Sequence, residues 1–169
     1  MMKLPNMGSY CSEEIGISIS LPEYWHPQVI NQWQFRIFGL PEPGFEEYFE
    51  EYRSTMSYLL AEPENNSGNW FEILITDSGN KIQEDYNEYQ LISEESCHIS
   101  GHKAYIRQYE WTEITTSLRL SQLQSLIYND SSSFYLINAA TLKPLEAKYM
   151  PVFREILHST QIISSDSSN

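Results

Sequence analysis

The chain is short of cations, glycine and cysteine. Ten Lys and Arg face 23 Asp and Glu, for a formal charge of −13. A field of that sign repels phosphate backbones and anionic bilayers, so nucleic acid is not an expected partner. The seven glycines are scattered. No glycine-rich loop leads into Lys and Ser or Thr, which excludes phosphate cradling by that motif. The two cysteines, Cys11 and Cys97, lie far apart in sequence. They read as isolated, reduced thiols rather than a disulfide framework.

No apolar run approaches the ~18 residues needed to span a bilayer, so no membrane insertion is expected. Met1 to Gly8 holds no apolar h-region, and Cys11 lacks the apolar segment a lipoprotein site requires. The expected compartment is therefore the cytoplasm. Catalytic signatures are missing too. No Gly-x-Ser-x-Gly elbow occurs, and nothing ties a particular Ser or Cys to a His and an acid. Cys97 and His98 are adjacent, so on a strand they point to opposite faces. With His102 they could contribute to a zinc site, but a turn at Ser100-Gly101 intervenes and a fourth ligand is not evident. No enzyme activity, metal or cofactor is expected.

What is present is a core. The 169 residues are 41% hydrophobic and 14% aromatic, enough for one domain of ordinary size. The expected organisation is an N-terminal extension over 1–13, a single domain over 14–163 and a disordered polar tail over 164–169. Ile15, Ile17, Ile19 and Leu21 alternate with small polar residues and predict a strand stopped by Pro22. Glu23 to Trp33, with Pro27 and two Trp, reads as a connection, and Phe35 to Phe38 as a second strand. From Pro43 an acidic run carrying Phe45, Phe49 and Tyr52 leads into Thr55 to Leu60. That segment could extend a helix or form a third strand, and the expectation is a strand ending before Pro63. The four carboxylates Glu46, Glu47, Glu50 and Glu51 read as a solvated acidic surface.

Ser67 or Asn69 could cap a short helix from Trp70 to about Asp77, against which Ile73, Ile75 and Thr76 count because they are β-branched. A meander follows. Tyr89 begins a strand, Ser100-Gly101 predicts a hairpin, and His102 to Thr112, Leu118 to Tyr128 and Phe134 to Ala140 are strands. Leu145, Tyr149, Val152, Phe153, Ile156 and Leu157 then follow the spacing of an amphipathic helix, with Pro151 expected to kink or restart it. The order predicts an α+β fold, an antiparallel meander sheet flanked by helices and ending in a C-terminal amphipathic helix.

The candidate binding surface lies in the meander. Tyr105, Arg107, Tyr109 and Trp111 share one face of a strand, and Tyr, Trp and Arg are enriched at binding hot spots. The next strand brings Gln122 and Gln124, whose amides are costly to bury unpaired. Either a helix covers this aromatic face and satisfies its polar groups, or the face stays open to a partner. The expected partner-binding residues are Tyr105, Arg107, Tyr109, Trp111, Gln122 and Gln124. A second reading has Trp25, Trp33 and Trp70 lining a pocket for a small apolar ligand. A homodimer through exposed sheet edges is a further possibility.

The chain resembles the PsbP/Mog-like superfamily and its DcrB-like branch. The resemblance is carried by Ile15 to Pro22 with Trp25 after it, by Ser100-Gly101-His102-Lys103-Ala104-Tyr105, by Tyr109-Glu110-Trp111 followed by Leu118 to Gln122, and by Tyr149 to Ser159. Over Gly101 to Gln122 it is similar to the cytosolic adaptor chaperones that load effectors onto type VI secretion machines. The acidic stretch Pro41 to Asn69 departs from them. The resemblance implies an α/β/α sandwich and a non-enzymatic role in binding another protein: a Ran-type GTPase, photosystem II, or a secreted effector. For an adaptor, the held segment would be an apolar helix.

Overall fold

The computed structural model describes residues 6–163, so the expected polar tail lies outside the described residues. Among the described residues ten strands and two α-helices form an α+β fold. In chain order these are β1 (Met7–Ser12), β2 (Ile17–Pro22), β3 (His26–Asn31), β4 (Gln34–Phe38), β5 (Thr55–Ala61), α1 (Trp70–Asp85), β6 (Gln90–Ile99), β7 (His102–Thr112), β8 (Arg119–Asp130), β9 (Ser133–Leu142), α2 (Glu146–Ser159) and β10 (Gln161–Ile162). A seven-stranded sheet runs β3-β4-β5-β9-β8-β7-β6, and a three-stranded sheet runs β1-β2-β10. Every pairing is antiparallel.

The alternation in the meander sorts side chains onto two faces. One face of the large sheet carries Phe35, Ile37, Met56, Tyr58, Ile106, Leu123, Ile127 and Ile137, all essentially inaccessible. It meets the inward residues of β2 and the buried stripe of α2, Tyr149 through Leu157, in one continuous core. Polar ties cross that interface. The Tyr58 and Thr160 hydroxyls share a hydrogen bond of 2.7 Å, and the Tyr135 hydroxyl donates to the Ile15 carbonyl. Burial pushes the Tyr135 phenol up to about 12, with Asp130 adding to the effect.

α1 lies on the opposite face. Its anchor is Trp70 and Phe71, buried with Leu126 and Phe134. It runs to Asp85, eight residues past the expected end, because tertiary packing overrides the weak propensity of its β-branched residues. Asn69 sits at its N-terminus without a side-chain cap. α2 likewise continues unbroken through Pro151, with buried residues on both sides of the proline holding the helix to the sheet.

Three segments differ from expectation. Residues 7–12, expected as an extension, form β1 against β2. Glu23 to Trp33, expected as a connection, contains β3, whose Pro27 is tolerated because β3 is an edge strand. Two-residue β10 completes the small sheet. The Ser100-Gly101 hairpin forms as read, and both residues have positive φ, 54° and 77°. That is the two-residue turn whose twist matches the flanking strands, and glycine takes it without steric cost.

Where β7 and β8 meet the start of α2, a charged knot closes the core. Glu110, 6% exposed, accepts from Lys143 and from Arg119 at 3.1 Å. Burial opposes its ionisation, but these two cations win and hold the carboxyl below the usual range. A lowered native value means the stabilisation exists above the unfolded carboxyl's pKa, roughly 4.3, and is lost as pH falls through the native one. Glu110→Gln is expected to cost about 1–2 kcal/mol at neutral pH. Urea unfolding followed into the acid range should show the difference from the parent protein shrinking; a constant difference would contradict the assignment.

Candidate functional site

The expected binding residues are brought together and then divided by α1. Register places Arg107 opposite Gln124, Tyr109 opposite Gln122 and Trp111 opposite Leu120, all on the α1 face. Much of that face is closed. Tyr109 is 1% exposed and Gln124 is 8% exposed. Trp111 stacks on Tyr86, just past the end of α1, with ring centroids 4.4 Å apart, and its indole N–H donates to Gln122. Tyr109 packs beside Tyr86 and Tyr89, and burial first, then these two phenols, push its own pKa far up. Tyr109 and Gln124 are thus buried and Trp111 is covered by Tyr86, while the Trp111 indole and the Gln122 and Gln124 side-chain carbonyls find internal partners.

Tyr105 and Arg107 have a different setting. They form the floor of a groove of about 520 Å³ between α1 and β6, within the range of ligand sites. Its walls are Ile75 and Gly79 from α1 and Leu91 and Glu94 from β6. Ile75, Gly79 and Gln83 share a helix face by their four-residue spacing. Leu91 is 41% exposed. β6 is the outer strand of the sheet, so its far side carries unpaired backbone groups.

Arg107 donates to Gln124 Oε1 at 2.9 Å, Ser78 Oγ at 3.1 Å and the Ile75 carbonyl at 2.9 Å. Its guanidinium lies 4.9 Å from the Tyr105 ring centre, a cation–π distance. The Tyr105 hydroxyl donates to Glu94. Burial raises the Tyr105 phenol, and Glu94 raises it further against the pull of Arg107. The phenol therefore stays a neutral donor.

The groove's α1 and β6 residues were not found by sequence reasoning. The usable signal was the helix length: a helix extended past Asp77 puts Gly79 and Gln83 on the face of Ile75.

The other candidates are dispersed. Trp25 lies in the main core and Trp70 at the start of α1, in separate clusters, while Trp33 is 49% exposed at the β3–β4 turn. The three do not line one pocket. Burial, with Glu95 adding, raises the Cys97 thiol, which disfavours the reactive thiolate. His102 Nδ1 lies 2.8 Å from the Tyr128 carbonyl. The acidic stretch folds as an irregular loop in which Phe45 and Phe49 pack on Tyr52.

No known protein family's signature and no curated protein matches the chain. Solved structures do. LpqN of Mycobacterium tuberculosis, involved in cell envelope biogenesis, superposes with a TM-score of 0.66 at 13% identity, covering 87% of this chain and 83% of that one. The cyanobacterial PsbP, CyanoP, of Synechocystis has a TM-score of 0.61 at 13% identity, covering 95% and 94%. The Ran-binding protein Mog1p of Saccharomyces cerevisiae has a TM-score of 0.58 at 10% identity, covering 95% and 97%. The fold is PsbP/Mog-like. The expected sheet between helices is that fold's arrangement, here with α1 on one side and α2 with the small sheet on the other. Among the described residues no helix is long and apolar enough to cross a membrane.

Proposed function

We propose that the protein is a non-enzymatic binding domain that holds a segment of a partner polypeptide in the groove between α1 and β6. One observation carries this reading: a preformed groove has a Tyr105–Arg107 floor, an exposed apolar wall at Leu91 and an unpaired strand edge beside it. Aromatic and Arg anchors beside apolar contact are what protein interfaces concentrate, and a free edge lets an extended segment add main-chain hydrogen bonds. The Ran-binding activity of Mog1p, on the same fold, supports a protein partner. The adaptor role implied by the resemblance is a narrower form of this reading, with a secreted effector as the partner. An extended segment suits the groove better than the apolar helix that resemblance implies, because its floor is cationic and one border is a strand edge.

Leu91→Glu puts a charge on the apolar wall without touching the core. Capture of partner from source-cell lysate by the tagged protein is expected to fall about tenfold or more. Ile114→Glu, at an exposed site away from the groove, should leave capture unchanged. Equal capture by the parent and both variants would remove the groove from the function.

A further inference from the structure

The groove contains a cation that the fold does not neutralise. Arg107 is 3% exposed, and guanidinium groups stay charged in proteins. Its hydrogen-bond acceptors, an amide, a hydroxyl and a backbone carbonyl, are all neutral. No carboxylate among the described residues forms an ion pair with it, in a chain whose acids outnumber its bases by 23 to 10. Buried charges are ordinarily paired. Nη1 makes two of the three bonds and Nη2 one. Nε–H makes no hydrogen bond of ordinary geometry among the described residues and Nη2 makes one for its two protons, while the Tyr105 phenol oxygen faces the guanidinium. Two adjacent donors of a planar guanidinium match the two oxygens of a carboxylate.

The surroundings hold this donor pair in place. A Cβ on Gly79 would stand 2.9 Å from Arg107 Nη2, so a side chain there would displace the guanidinium. Mid-helix glycine costs about 1 kcal/mol relative to alanine, and the sequence carries it where the guanidinium needs the space. Glu94 faces Arg107 across the β6–β7 ladder, yet its carboxylate takes the Tyr105 hydroxyl instead. It is an anion of the groove wall and would repel an incoming one. Ile75 and Leu91 supply apolar surface beside the donors.

We infer that Arg107 recognises a carboxylate of the partner segment, which seats an adjacent apolar side chain against Ile75 and Leu91. The inference rests on the groove being the binding site. It is tested with matched probes: N-acetyl-leucine, its uncharged amide, and the α-amide of N-acetyl-glutamic acid. Binding is read from the NMR signals of the Arg107 Nε–H and the backbone amides of Gly79 and Leu91.

N-acetyl-leucine should shift these signals saturably and bind about tenfold or more tightly than its amide, the ratio of one charge-assisted pair. Glu94→Gln should tighten it severalfold by removing the repelling carboxylate. Arg107→Met should abolish it, and Gly79→Ala, which displaces Nη2, should weaken it. A tighter glutamate probe would assign an acidic side chain, and a tighter leucine probe a chain terminus; either supports the inference. Equal binding of acid and amide, no binding of either, or no effect of Glu94→Gln overturns it, even if Arg107→Met fails to fold. The groove itself is judged separately, by whether Leu91→Glu releases the captured partner.

Discussion

Phe153→Ala is expected to lower the unfolding free energy by about 3–5 kcal/mol, the range for removing a buried aromatic ring. Phe153 is wholly inaccessible at the centre of α2. Its ring meets Trp25 edge-on at 6.1 Å and Tyr149 at 6.3 Å. The ring belongs to the core that α2 shares with both sheets, so its removal leaves a cavity there. For a domain of this size the midpoint should fall by roughly 6–20 °C. Thermal unfolding followed by circular dichroism measures it. A change under about 1 kcal/mol would mean that α2 is not seated as described.

Trp70→Ala should produce a comparable loss with a different distribution. Trp70 stacks on Tyr128 at 5.3 Å and touches Phe71 and Phe134 at 5.7 and 5.9 Å. Beyond this cluster, α1 is held by buried Ile82 and by Arg107. Removing the indole should cost about 3–5 kcal/mol and free the helix before the sheet. Amide hydrogen exchange should quicken most in α1 and least in β5, β8 and β9, because local opening follows local packing. Partner capture should fall with it, since α1 supplies one wall of the groove. Uniform acceleration across sheet and helix would contradict the view that α1 is a separately anchored cover.

Much of the large sheet was readable from residue order. Alternation along 102–112 and 118–128 reports which side chains share a face, because strand side chains alternate whatever the surroundings. Ser100-Gly101 marks a turn for an equally local reason. The amphipathic stripe of α2 is strong enough to survive Pro151. The misses have physical causes as well. β3 is concealed by Pro27 and flanking aromatics, and only its position at the sheet edge makes the proline acceptable. α1 looks short because Ile73, Ile75, Thr76 and Gly79 are poor helix formers, and contacts distant in sequence extend it.

For the site the division is sharper. Residue order placed Tyr105, Arg107, Tyr109 and Trp111 on one face of β7 and Gln122 and Gln124 on one face of β8, since period-two geometry requires it within a strand, and the pairing register put the two sets on a common surface. Which of them meet solvent was decided by the path of α1, a helix joined to the sheet through Trp70, Phe71 and Arg107. That path depends on side-chain fit between segments tens of residues apart, and no local pattern encodes it. Composition alone made the chain acidic; tertiary packing left one guanidinium at the groove floor without a carboxylate to answer it.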